Sequence, residues 1–198
     1  MPKGAKQRWN MVVREELARE PIHVQYFEYA DAYLDSARRL CSILARSTRR
    51  ANFQRGAVVL YLVQHALELF YKAAILRVAP KERLSHGIDR LRARYLALYP
   101  GKDYSVRPLF VPSYAGLTKA QAAEAKRTLA PADQIFRYPD DRDGVLWEGL
   151  YGFEASSCLR DIDGLIQYFK RVRTKLTTRT QPQSPPTPPH STPPPSPH

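Results

Sequence analysis

The sequence predicts an all-α fold, an antiparallel up-and-down bundle of about five helices. Three observations carry this expectation. Apolar residues recur at helical spacing in two long stretches, 26–50 and 154–176. Between them, 52–76 is apolar on nearly every side, as a helix wrapped by other helices must be. No segment alternates with period two for long enough to suggest a sheet.

The chain has 198 residues, enough for one domain with a real core. We divide it into an N-terminal extension (1–25), a helical domain (26–178) and a tail (179–198). Residues 181–198 hold nine of the 17 prolines and no acid, Lys or Arg. Such a segment has too little apolar surface to fold, so a disordered or polyproline-like tail is expected. The net charge of +12 lies outside that tail. A surplus of this size favours polyanionic partners such as nucleic acid, nucleotides or an acidic protein. Cys41 and Cys158 fall on apolar helix faces, where core packing is the ordinary role of a free cysteine. They lack metal-ligand spacing, and spacing alone does not support a disulfide. No apolar run reaches the roughly 18 residues of a membrane span. The N-terminus has no signal-peptide apolar stretch. A cytoplasmic protein with no membrane partner is the expectation.

The first helix should run from about Tyr26 to Arg50. Phe27, Ala30, Leu34, Ala37, Cys41 and Leu44 make its apolar face. Arg38, Arg39, Arg46, Arg49 and Arg50 cluster opposite that face, and no acid interrupts the six arginines from Arg38 to Arg55. This is either a solvated outer face or a stripe for polyanion contact, since arginine suits bidentate phosphate recognition. Asn52 is a good N-cap for the second helix, and Pro80 closes it. Around that helix, at about 100° per residue, Gln54, Tyr61, His65, Glu68 and Lys72 fall on one narrow line. A polar line on so apolar a helix must face a partner, a cleft or water, because buried charge without a partner is costly.

Ser85 is placed to cap a third helix, His86 to Leu98, with Leu84, Ile88, Leu91, Tyr95 and Leu98 as its buried edge. Pro100-Gly101 ends it, and 101–116 reads as an extended loop broken by Pro108 and Pro112. Thr118 starts a fourth, alanine-rich helix to about Leu129, and a short helical turn is expected after Pro131. The charged loop 137–144 follows. The fifth helix, Glu154 to Leu176, should bury Cys158, Leu159, Ile162, Leu165, Ile166, Phe169, Val172 and Leu176. It ends in Lys170, Arg171, Arg173, Lys175 and Arg179, which favour the helix dipole.

Catalytic signatures are scarce. There is no glycine-rich phosphate loop, no His-Glu-x-x-His, no paired cysteines and no nucleophile elbow. We assign no catalytic residue, no metal ligand and no cofactor. His65 and Glu68, three apart, and Lys72, four further on, stand side by side on one helix. They read as an acid–base group oriented by a carboxylate, as a polar lining for a ligand or subunit, or as a self-satisfied ion-pair row. His86 and Asp89 are also three apart, and His86 could equally fix the entry of the third helix. Arg137-Tyr138-Pro139 has a rigid-loop reading too, since proline fixes its own dihedral and restricts Tyr138.

Three of these stretches resemble one family. The run Leu62-Val63-Gln64-His65-Ala66-Leu67-Glu68-Leu69-Phe70-Tyr71-Lys72-Ala73 resembles the second helix of HEPN domains (higher eukaryote and prokaryote nucleotide-binding). Ser85-His86-Gly87-Ile88 resembles their Ser-His-x-Leu segment, and Phe136-Arg137-Tyr138-Pro139-Asp140 their Arg-Tyr-Pro loop. The order and spacing agree over about residues 26–176. The resemblance implies a helical bundle that often forms a homodimer. It points to Glu68, Lys72, His86, Arg137 and Tyr138 as functional residues. Some members are metal-independent ribonucleases of toxin–antitoxin or phage-defence systems, with an Arg-x(4–6)-His motif. Others bind a nucleotide, RNA or a partner nucleotidyltransferase. This sequence departs from the first kind, because 137–159 contains arginines but no histidine. Arg19 to His23 and Arg83 to His86 are the nearest approximations, with three and two intervening residues.

The leading expectation is a non-catalytic binding module for a nucleotide, RNA or partner protein. It would use Tyr61, His65, Glu68, Lys72, His86, Asp89, Arg137 and Tyr138. The alternative is a divergent RNA-cleaving toxin, with Arg137 or Arg142 holding transition-state charge and His65 or His86 moving the proton. The tail reading is tested by truncation. Removing 180–198 is expected to leave the melting temperature nearly unchanged in a thermal scan, whereas a drop of several degrees would show that the tail packs on the domain.

Overall fold

The computed structural model of the chain describes residues 15–47, 52–106, 118–128, 134, 136–138, 140, 143, 144 and 153–178. Among these, every regular element is a helix, so the all-α class holds. The elements are α1 (Glu15–Ala18), α2 (Ile22–Ala45), α3 (Phe53–Val78), α4 (Ile88–Leu98), a 3₁₀ turn (Lys102–Tyr104), α5 (Lys119–Thr128) and α6 (Ala155–Thr178). The tail beyond Thr178, Arg49, Arg50, Arg142 and most of the 101–116 loop lie outside the described residues.

Helix starts follow local chemistry. Pro21 is the N-cap of α2, and its carbonyl accepts from Val24 and Gln25 at 2.9 and 3.1 Å. The helix begins at Ile22, four residues before the expected Tyr26, and Pro21 keeps it from starting earlier by pushing the preceding residue out of the helical region. It ends at Ala45 rather than Arg50. Asn52 caps α3 as expected, its side chain accepting from the Arg55 N–H at 3.0 Å. Thr118 and Gln121 cap α5 reciprocally: Thr118 Oγ1 accepts from the Gln121 N–H, and Gln121 Oε1 accepts from the Thr118 N–H. Glu154 accepts from the N–H groups of Ser156 and Ser157 at 2.9 and 2.5 Å, which starts α6. The third helix differs from expectation. Its N-cap is Gly87, with no side-chain cap bond, so neither Ser85 nor His86 opens it.

The long helices form a layered bundle around α3. Phe27 meets Phe70 and Tyr33 meets His65, so α2 and α3 run antiparallel. Arg173 bonds Glu28 and Asp31 near one end of α2, and Arg38 bonds Asp163 nearer the other, so α6 also runs antiparallel to α2. The six α2 positions read as apolar are all buried. In α6, Leu159 and Ile166 only border the core, and Tyr168 is buried instead. In α4, Leu91 and Tyr95 are buried, while Ile88 and Leu98, and Leu84 in the loop before the helix, are partly buried against the core. α3 is long and apolar enough to cross a membrane by length and composition, but most of that stretch is buried within the bundle.

Phe70 is the hub of the core. It stacks on Phe169 with centroids 4.0 Å apart and meets Phe27, Tyr71, Tyr95 and Tyr168 at tilted or edge angles. Such contacts add to simple area burial. Tyr168 donates to the Tyr104 carbonyl at 2.7 Å, so Tyr95 must be the donor in its 2.9 Å bond to Tyr168. Tyr99, which the apolar pattern did not single out, is buried and donates to the Ala74 carbonyl at 3.0 Å.

At Gly56 the side chain of Phe153, in the segment entering α6, packs directly on α3. A Cβ there would stand 2.5 Å from Phe153 Cγ and 2.9 Å from Phe153 Cβ. Alanine gains about 1 kcal/mol of helix propensity over glycine, but overpacking costs about 1–3 kcal/mol. Gly56→Ala is therefore expected to lower stability in chemical denaturation. A variant more stable than wild type would show that Phe153 has room to move.

Candidate functional site

The polar line of α3 runs from the exposed end of the helix into the bundle. Gln54 is exposed, Tyr61 and His65 are partly covered, and Glu68 and Lys72 are buried at 7 % and 6 % exposure. The glutamate precedes the lysine by one turn, the favourable order for such a pair. Lys72 Nζ donates to Glu68 Oε1 at 2.6 Å. After Pro80 the chain turns back, and His86 Nδ1 comes within 3.1 Å of the same oxygen. A carboxylate can only accept, so we assign the proton to His86 Nδ1. The bond forms before α4 begins, which places His86 in the loop rather than the helix.

The other carboxylate oxygen, Glu68 Oε2, faces His65 Nδ1 at 3.6 Å. That is beyond hydrogen-bond reach, and the buried Nδ1 has no hydrogen-bond partner. Burial by itself would raise the pKa of Glu68. The neighbouring His65, the hydrogen bond and charge of Lys72, and the bond from His86 outweigh it and pull it down to about 2. By geometry, Lys72 at 2.6 Å is the strongest of these holds.

Aromatic rings carry the row outward. His65 stacks on Tyr61 with centroids 5.8 Å apart, and Tyr33 of α2 meets the imidazole edge-on at 4.6 Å. The Arg137 guanidinium lies 4.8 Å over the Tyr61 ring, and its Nη2 reaches the Tyr61 hydroxyl at 3.4 Å. The backbone N–H groups of Arg137 and Tyr138 both bond the Gln134 carbonyl at 2.9 Å, closing the turn that presents this arginine. Six expected residues thus meet: Tyr61, His65, Glu68, Lys72, His86 and Arg137. Tyr138 is exposed beside Arg137. Asp89 sits exposed in the first turn of α4, where its charge suits the dipole, and no bond joins it to Glu68, Lys72 or His86. Tyr33 was not foreseen. Its signal was its place in the aromatic row Tyr26, Tyr29 and Tyr33 beside the apolar face of α2.

The arginine stripe is partly neutralised. Arg38 pairs with Asp163 at 2.6 Å and Arg39 with Asp35 at 2.8 Å. Both pairs are exposed, so each contributes little stability. Arg46 is exposed. Among the described residues, no group of three His, Cys, Asp or Glu is arranged to hold a metal ion. Comparison with protein families, with characterised proteins and with solved structures found no match.

Proton linkage at Glu68 gives a direct test. Its folded pKa lies below its ordinary 4.5, at about 2, so the unfolded chain takes up the proton first as pH falls. The stabilisation is complete above pH 4.5 and is lost as pH drops through about 2. Glu68→Gln lacks this component and leaves Lys72 without its counter-charge. The stability gap between wild type and variant should shrink by on the order of 3 kcal/mol across that window. A gap that stays constant through the window would show that the carboxylate is not held as an anion.

Proposed function

We propose that this chain is a non-catalytic, HEPN-like binding module that takes a phosphate-bearing ligand, a nucleotide or RNA, at the rim formed by Arg137, Tyr61, His65 and His86. The observation that carries the reading is the division of labour along the α3 row. The Glu68 carboxylate is held as an anion by Lys72 and His86, which leaves it poorly suited to move protons. The rim residues present cationic and hydrogen-bonding groups: Arg137 exposed on Tyr61, and His86 with 88 % of its side chain exposed. Arginine on an aromatic face is preorganised for phosphate. The +12 charge of the chain supports an anionic ligand. On the same HEPN-like reading, the module works as a homodimer or with a nucleotidyltransferase or other protein partner, in a prokaryotic defence or toxin–antitoxin-like setting.

The second reading, a divergent metal-independent ribonuclease, is favoured by one observation. His65 Nδ1 has no hydrogen-bond partner and stacks on the ring that carries Arg137. One experiment separates the two. The purified chain is titrated with labelled RNA and with labelled ATP in EDTA, across a salt series. Binding without cleavage, weakened at least tenfold by Arg137→Ala and falling steeply with salt, is the expected result. Cleavage in EDTA that is lost in His65→Ala would replace the binding reading with the nuclease. Equal affinity of wild type and Arg137→Ala would remove the rim from the site.

A further inference from the structure

The outer side of α2 carries a second apolar stripe. Ile22, Tyr26, Tyr29, Tyr33, Ser36, Leu40 and Ile43 follow one another at alternate spacings of four and three, which sets them along one line of the helix. From Tyr26 onward, each stands immediately before one of the buried positions Phe27, Ala30, Leu34, Ala37, Cys41 and Leu44. The stripe therefore lies about 100° round from the core face. Tyr26, Tyr33 and Leu40 are partly buried against the core edge. Ile22, Tyr29 and Ile43 stand further out, at 45 %, 43 % and 47 % exposure. Ser36, the one non-aromatic polar member, turns its hydroxyl back to the Ala32 carbonyl at 2.8 Å, so covering it strands no donor. Tyr33 joins the stripe to His65 of the α3 row. Val58, exposed on the α3 face that carries Tyr61 and His65, adds apolar surface on that side.

We infer that this stripe is the seam of a two-fold dimer, in which α2 packs antiparallel on α2 of a second copy of the chain. Apolar residues alternating by four and three are what one helix needs to meet another along its length. The stripe covers the steps from Ile22 to Ile43 at 1.5 Å each, about 32 Å, and an exposed apolar band of that length marks an interaction site. Charge selects the occupant. The first half of α2 carries Glu28, Asp31 and Asp35 and no Lys or Arg. The second half carries Arg38 and Arg39, with Arg46 at its cap, and no acid. An antiparallel copy lays the acidic half of each helix along the basic half of the other, whereas a parallel copy would set like against like. Glu28 and Arg39 stay well exposed beside their partners within the chain, so each can meet a second opposite charge. Shape agrees with charge. With the two-fold axis midway between Tyr29 and Ser36, the Tyr29 ring lies against the small Ser36 of the second copy, and Ile22 against its Ile43. The contact is self-complementary, as a two-fold interface requires. The +12 charge of each copy opposes approach at long range, and physiological salt screens most of that repulsion. This gives the homodimer of the HEPN-like reading a surface, but the argument uses α2 alone and none of the rim chemistry.

The test uses the full chain in sedimentation velocity, over a concentration series at physiological salt. The expected result is a species of about 45 kDa, twice the 22.7 kDa of the chain. The double variant Tyr29→Glu, Ile43→Glu should sediment as a monomer while staying helical by circular dichroism. Orientation is read by oxidative cross-linking. Ile22→Cys mixed with Ile43→Cys should give a reducible dimer, while either variant alone should not; the native Cys41 and Cys158 are buried and stay silent. A wild-type monomer at every concentration would overturn the inference, as would a dimer that survives the double change. Cross-linking of either single variant with itself would overturn the antiparallel arrangement. If the double variant fails to fold, the cysteine mixture decides alone. A dimer that binds neither RNA nor ATP supports this seam and removes the rim reading, so the two fail separately.

Discussion

A buried ion pair in the most apolar helix of the chain constrains what surrounds it. Glu68 and Lys72 cannot be moved toward water without turning the apolar faces of α3 out of the bundle. They cannot stay inside unless each charge is met. The helix resolves this by placing the two groups one turn apart, so that the pair forms within one element. Having an internal partner frees Lys72 from needing one on α2 or α6. Those helices can then present apolar faces, and Phe70 on the same helix can gather Phe27, Phe169 and Tyr168. The ion pair and the aromatic hub are two consequences of one helix being surrounded.

Much of this was legible in sequence, for a physical reason. Where a helix has one buried face, the 3.6-residue period reports it, and the six buried positions of α2 were all read this way. The row Tyr61, His65, Glu68 and Lys72 was visible for the same reason, since polar residues on an apolar helix stand out. What escaped depended on partners distant in the chain. Tyr99 and Tyr168 are buried because their hydroxyls find a carbonyl or another hydroxyl elsewhere. No local pattern shows such a partner. Arg38 read as free positive charge because its acid, Asp163, is 125 residues away. Arg39 was within reach of sequence reasoning, with Asp35 four positions before it. His86 reads as the first residue of a helix because Ser85 is a good cap residue, but Gly87 is the cap and His86 bonds Glu68 from the loop before it.

Three short stretches far apart in the sequence meet along one side of α3. Glu68, Lys72 and His86 belong to one carboxylate-centred cluster, although fourteen positions separate Lys72 from His86. Arg137 reaches the same α3 row from the far side of the chain, through Tyr61. The loop carrying His86 is tied to α3 through the carboxylate of Glu68.

The row also separates a fixed interior from an adjustable rim. Glu68 is gripped through Oε1 by two donors, which leaves little freedom for a proton to leave or arrive. Tyr61 and His65 are held by ring contacts instead, and stacked rings can slide and tilt at small cost. Arg137 rests on that stack through a face contact and a long 3.4 Å bond, so a bidentate anion would offer it stronger bonds than it now has. Rearrangement on binding should therefore concentrate at Arg137 and Tyr61 and die out at Glu68, where moving the carboxylate would expose Lys72 as an unpaired buried charge.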